Sequence, residues 1–102
     1  MDEMIIFGLI TASGSAKSYA MEAIQFAKTG DIKSAREAIT KAEDNLKEAH
    51  RSQTSLIQSE AKGEKIEVSI LLVHAQDHLM NAILMKDLAG EFIDLYERVG
   101  QS

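Results

Sequence analysis

The chain has 102 residues, enough for one domain, with a formal net charge of −5 and no cysteine, proline or tryptophan. The missing cysteine excludes disulfides, thiolate nucleophiles and cysteine metal sites. The acidic balance, with basic residues neither clustered nor in excess, argues against a nucleic-acid backbone as partner.

No apolar run approaches the ~20 residues that span a bilayer. The start, Met1-Asp2-Glu3, carries the wrong charge for a signal peptide, so the expected location is cytoplasmic. Alanine, glutamate, lysine, leucine and isoleucine dominate, and long stretches lack a breaker. That pattern predicts an all-α protein, an antiparallel three-helix bundle forming a single domain over residues 1–102. A chain this short is only marginally stable unless partners cover part of its surface.

The first helix is predicted from Glu3 to Lys28. Gly8 and Gly14 interrupt it, among Thr11, Ser13, Ser15 and Ser18. Either these small residues let helices approach closely or bend, or they line a cleft open to a ligand. Thr29-Gly30-Asp31 is a break, with Gly30 suited to end one helix and Asp31 to cap the next.

The second helix is predicted from Ile32 to Ala61. Ile32, Ala35, Ile39, Ala42 and Leu46 follow helical spacing, and Ala49, Gln53 and Leu56 extend it. His50, Gln53 and Thr54 form a small polar patch, better suited to buried or interfacial hydrogen bonds than to chemistry. Lys62-Gly63-Glu64-Lys65 reads as a turn. Ser69 is the expected cap of a third helix running towards Val99, with Gly90 permitting a close contact or a bend inside it.

Chemistry concentrates on this third helix. Ile70, Val73, Asp77, Met80 and Leu84 fall at alternating steps of three and four, the a/d seam of a coiled coil. Asp77 is the charged member, and an ionised carboxylate buried alone is costly. Either it sits at a wet rim, or copies meet on an oligomer axis. There they would raise each other's pKa or share a hard cation, for which oxygen ligands suit magnesium.

His74 and His78 stand one helical turn apart on one side of the helix. They are ordinary surface or interface histidines, or a proton shuttle and nucleophile. A zinc pair is disfavoured, because Ala75 stands where a His-Glu-x-x-His motif needs glutamate. Gln76 lies about 200° around the helix from His74, so it serves a neighbouring chain's His74 more readily than its own.

These residues carry a resemblance. Val73-His74-Ala75-Gln76-Asp77-His78-Leu79-Met80 is the most specific block. A second is Glu48-Ala49-His50, Gln53-Thr54-Ser55-Leu56-Ile57 and Glu60-Ala61-Lys62-Gly63-Glu64; a third, weaker, is Gly14-Ser15-Ala16-Lys17-Ser18 with Ala20 and Glu22-Ala23. Over nearly its whole length the chain resembles the enzyme IIA component of the lactose/cellobiose (N,N'-diacetylchitobiose) class of the bacterial sugar phosphotransferase system. Relatives more often carry arginine where Lys17 stands, and lysine lacks arginine's planar fork.

The resemblance implies a homotrimer with the third helices near a threefold axis. It implies that His74 is phosphorylated on Nε2 in a cleft between subunits, with Gln76 and His78 lining the site. Asp77 would be the axial carboxylate that binds a divalent metal, taken as magnesium. The donor would be phospho-HPr and the acceptor a cysteine of the cognate IIB component, serving a membrane IIC component that carries the disaccharide. Set against this phosphotransferase are a non-catalytic trimeric binding or regulatory protein of the same fold, and a metal hydrolase that would turn over phosphate esters without a protein partner.

Overall fold

The breaks predicted around Gly30 and residues 62–65 divide the chain as expected. A computed structural model describes residues 3–101 and contains three helices, α1 (Glu3–Lys28), α2 (Ile32–Ala61) and α3 (Ile70–Gly100). Met1 and Asp2, on which the signal-peptide reading rests, lie outside the described residues. Among the described residues there is no strand.

Local chemistry sets the helix ends. At the first break Gly30 takes φ 85°, a left-handed conformation that glycine adopts without a Cβ clash. Its N–H donates to the Ala27 carbonyl at 3.0 Å, and the Asp31 N–H donates to the Phe26 carbonyl at 3.0 Å, closing carbonyls left open by α1. The Asp31 carboxylate then accepts from the Ser34 N–H at 3.1 Å, starting α2. Gly63, at φ 91°, turns the chain after α2. Ser69 caps α3 through its hydroxyl, which accepts from the Leu72 N–H at 3.1 Å. Each such cap contributes about 1 kcal/mol.

The short first connection forces α1 and α2 antiparallel, and α3 returns alongside them in a rod of 56 × 20 × 18 Å. α1 packs closely on both other helices, while α2 and α3 meet less extensively. The reason lies in side-chain size. The buried face of α1 is Ile6, Leu9, Ser13, Ala16, Ala20, Ala23 and Ala27, so most of it is alanine and serine. α2 adds Ala35, Ala38, Ala42 and Ala49, with Leu46 and Leu56 as its larger members. Small residues let the helix axes approach closely but bury little apolar area each.

The core falls into two clusters. The larger gathers Ile6, Leu9, Leu46, Leu56, Leu72 and Leu79; the smaller, near the α1–α2 turn, gathers Ala23, Ala27, Ala35, Ala38 and Ile93. Beyond the smaller cluster Arg36 of α2 reaches α3, donating to Asp94 at 3.2 Å and Glu97 at 2.9 Å. These two carboxylates, Asp94 first, raise the Arg36 pKa further, so it stays charged throughout the physiological range. The group is exposed, so the pairing adds less than about 1 kcal/mol.

Candidate functional site

The inward face of α3 is Leu72, Ala75, Leu79, Ala82, Ala89 and Ile93, all buried against α1 and α2. The predicted a/d seam is a different face. Ile70 is 90% exposed, Val73 57%, Met80 56% and Leu84 58%, and the stripe continues through Leu88, Leu95 and Val99. The seam therefore lies outside the chain's own core. Asp77 sits within it and is exposed.

With Ile70, Asp77 and Leu84 at a and Val73 and Met80 at d, His74 falls at an e position and Gln76 at a g position. These positions flank a seam on opposite sides, and the structure separates the two residues accordingly. His74 is exposed and His78 half-buried, with ring centroids 5.7 Å apart and planes tilted by 44°. His78 lines a groove between α1 and α3 with Ile10, Thr11, Gly14, Ser15, Ser18 and Tyr19. The Tyr19 ring in turn lies under the Lys41 ammonium, 5.6 Å from its centroid.

A Cβ at Gly14 would meet the His78 Nε2 at 3.9 Å, an ordinary contact, and at Gly8 or Gly90 it would meet nothing within 4 Å. Close helix approach does not require glycine at any of these positions. Thr11, Gly14, Ser15 and Ser18 line the open groove beside His78, whereas Ser13 is buried in the core face of α1. Lys17, next to Ser18 in the chain, is half-buried.

Gln76 points the other way, towards α2. It borders a hollow with Leu56, Ile57, Glu60, Ile66 and Leu72, and its Oε1 accepts from the Gln53 Nε2 at 2.6 Å. Gln53 makes the kind of hydrogen bond expected of its polar patch, and its partner, Gln76, is what the sequence does not name. His50 is exposed, in a groove with Glu43, Leu46, Lys47, Ile83 and Lys86, apart from the other histidines.

A single chain thus brings His74 and His78 together, with His78 in the groove beside α1, and holds Gln76 on the opposite flank. Between Ile70 and Leu84 the stripe also offers one carboxylate, Asp77. Among the described residues no group of three or more His, Cys, Asp or Glu side chains gathers to hold a metal. Among them, too, no helix is long and apolar enough to cross a membrane.

Comparison with known proteins bears on this arrangement. Residues 4–97 match the family described as PTS system, Lactose/Cellobiose specific IIA subunit. The lichenan-specific phosphotransferase enzyme IIA component of Bacillus subtilis is 54% identical over 97 residues, covering 95% of this chain and 88% of that protein. The crystal structure of the PTS cellobiose-specific enzyme IIA from Bacillus anthracis superimposes with a TM-score of 0.96 at 59% identity, covering 100% of this chain and 95% of that one. The IIA(Chitobiose)–HPr complex of the Escherichia coli N,N'-diacetylchitobiose branch matches with a TM-score of 0.83 at 42% identity, covering 96% of this chain and 95% of that one. The chain belongs to the lactose/cellobiose-specific IIA family of the sugar phosphotransferase system and is a phosphotransferase component of it.

Proposed function

We propose that His74 carries a phosphoryl group between HPr and the cognate IIB component within a homotrimer. The observation that supports this most is the exposed His74 imidazole, set on the flank of an uncovered apolar stripe with the half-buried His78 ring beside it. A relative of the same fold has been solved bound to HPr, which supports HPr as the donor. Docking depends on the local surface, so the acidic net charge of this chain does not oppose an acidic-patch partner.

The assembly follows from the stripe. Ile70, Val73, Met80, Leu84, Leu88 and Leu95 would be covered by the same residues of two further copies around a threefold axis. Residues at g on one chain then approach residues at e on the next. Gln76 of one chain then faces His74 of its neighbour, beside the groove that His78 lines, and the separated halves of the site meet across the interface.

The reaction is two displacements. The His74 Nε2 lone pair forms a new P–N bond as the P–N bond to the HPr histidine breaks. The thiolate of a IIB cysteine then forms a P–S bond as the His74 P–N bond breaks. Both steps run in line through a loose transition state, where positioning and charge stabilisation dominate. The attacking nitrogen carries no proton, which leaves the ring proton on Nδ1. His78 faces the groove and donates to a phosphoryl oxygen; Gln76 donates from the neighbouring chain. The sugar is carried by the membrane IIC component and does not touch this protein.

Asp77 fits a hard cation. It is an exposed carboxylate within an otherwise apolar stripe, and three copies on an axis supply three oxygen ligands. Magnesium bound there would neutralise converging negative charge. It stands apart from the transfer steps.

The test is incubation with phosphoenolpyruvate, enzyme I and HPr, followed by mass-spectrometric location of the phosphoryl group and its chase onto IIB. The expected result is a single phosphohistidine at His74, lost in His74→Ala with the helical fold intact. Sedimentation is expected to give three times the chain mass. A phosphoryl group on another residue, or a folded monomer at micromolar concentration, would overturn the reading.

A further inference from the structure

Gln53 interrupts the apolar repeat of α2, after Leu46 and Ala49 and before Leu56. It is half-buried, and it spends its amide donor on one partner, the Gln76 Oε1 at 2.6 Å. A carboxamide has a donor end and an acceptor end, and its terminal torsion is broad and roughly two-fold. Left alone, the Gln76 amide would present either end. A phosphoryl oxygen is anionic and accepts from an N–H; it is repelled by a carbonyl oxygen. With the oxygen of Gln76 held by Gln53, the NH2 end is the one that remains for the site.

We infer that Gln53 is a positioning residue for phosphoryl transfer, orienting the Gln76 carboxamide donor-first towards His74 of the neighbouring chain. This rests on the reading of His74 as the carrier. Gln53 lies behind Gln76 on α2, so it acts through Gln76 and touches neither the phosphoryl group nor the reacting nitrogen.

Two substitutions act on the orientation in different ways. In Gln53→Glu the ionised carboxylate only accepts, so it takes the Gln76 NH2 and turns the Gln76 oxygen towards the phosphoryl group. In Gln53→Leu the partner is lost and the Gln76 amide is free to flip. Leucine suits the apolar repeat, so this variant serves if Gln53→Glu does not fold.

The experiment is single-turnover transfer from phospho-HPr to the full chain, with NMR of the side-chain amides. Gln53→Glu is expected to slow the transfer step about tenfold or more, from the loss of a hydrogen bond to a charged group, and Gln53→Leu to slow it less. Half-saturation by phospho-HPr should stay unchanged, because the docking surface is untouched. In a Gln76→Leu background, Gln53→Glu should add no further loss. Equal rates in all Gln53 variants, a defect confined to half-saturation, or additive losses would overturn the inference while leaving His74 as the carrier. Gln76 amide resonances unmoved by Gln53→Leu would overturn the pairing itself. Wild-type protein that takes up no phosphoryl group on His74 would overturn the carrier reading, and this inference with it.

Discussion

On its inward face α3 carries Leu72, Ala75, Leu79, Ala82, Ala89 and Ile93, all buried. On its outward face it carries Ile70, Val73, Met80, Leu84, Leu88 and Leu95, all exposed. The inward set is half alanine; the outward set contains none. Burying a methylene contributes about 0.8 kcal/mol, so the face turned away from the bundle holds the larger share of unspent apolar driving force. The inward face decides how closely three helices approach. The outward face is the one that the proposed trimer would cover. On that reading folding and assembly draw on separate residues of one helix, and each can be disturbed without the other.

The largest expected effect is on the outward face. Leu84→Lys places an ammonium on the stripe of every chain, and taking such a charge out of water costs several kcal/mol per ion. The expected product is a folded monomer, with helical circular dichroism retained and sedimentation at one chain mass. A trimer of unchanged affinity would show that the stripe is not the interface. The inward counterpart is Leu79→Ala. Leu79 is fully buried in the larger cluster, so the loss should be about 2–5 kcal/mol of unfolding free energy. The folded fraction should keep its assembled mass. Loss of assembly at unchanged stability would mean that the two faces do not divide the work in this way.

Asp77→Leu sharpens the comparison at the charged position of the stripe between Ile70 and Leu84. Replacing crowded carboxylates by well-packed apolar side chains is neutral or stabilising by about 1–4 kcal/mol in comparable buried sites. The assembly should persist or tighten. Chelation of divalent metal should lower the melting temperature of the wild type and leave that of the variant unchanged, at matched protein concentration. A folded monomer would place Asp77 away from the axis.

How much of this was legible depends on how local each determinant is. The helix ends were readable because a cap is decided within a few residues: Asp31 and Ser69 accept from N–H groups three positions on. The seam from Ile70 to Leu84 was readable as a period. A period says which residues share a face, but not what covers that face, and the placement outside the chain's own core needed the other two helices. His74 and His78 were readable as one side of a helix, and their 5.7 Å ring separation follows from that spacing. The groove beside them was one of two readings of Gly8 and Gly14. Only the position of α3 against α1 separates a wall from a close contact. The Gln53–Gln76 pair was out of reach, because a bond across 23 residues of sequence depends on the register of α2 against α3.

The smallest expected effect tests the inward face on its own terms. Ser13 is the one buried polar residue among those described, fully enclosed in the α1 face between Leu9 and Ala16. Its Oγ has no hydrogen-bond partner among the described residues. An enclosed hydroxyl without a partner costs about 1–3 kcal/mol in desolvation, and serine is also a poorer helix former than alanine. Ser13→Ala removes that cost and leaves a void of a single oxygen in a core already built from alanine. Stability should rise by about 1 kcal/mol in denaturant unfolding, with assembled mass and phosphoryl uptake unchanged. A loss of similar size would mean that the hydroxyl is satisfied in solution, by water or by a helix carbonyl. The inward face would then owe part of its cohesion to a polar contact, and the division between an apolar core that folds and an apolar stripe that assembles would need redrawing at that point.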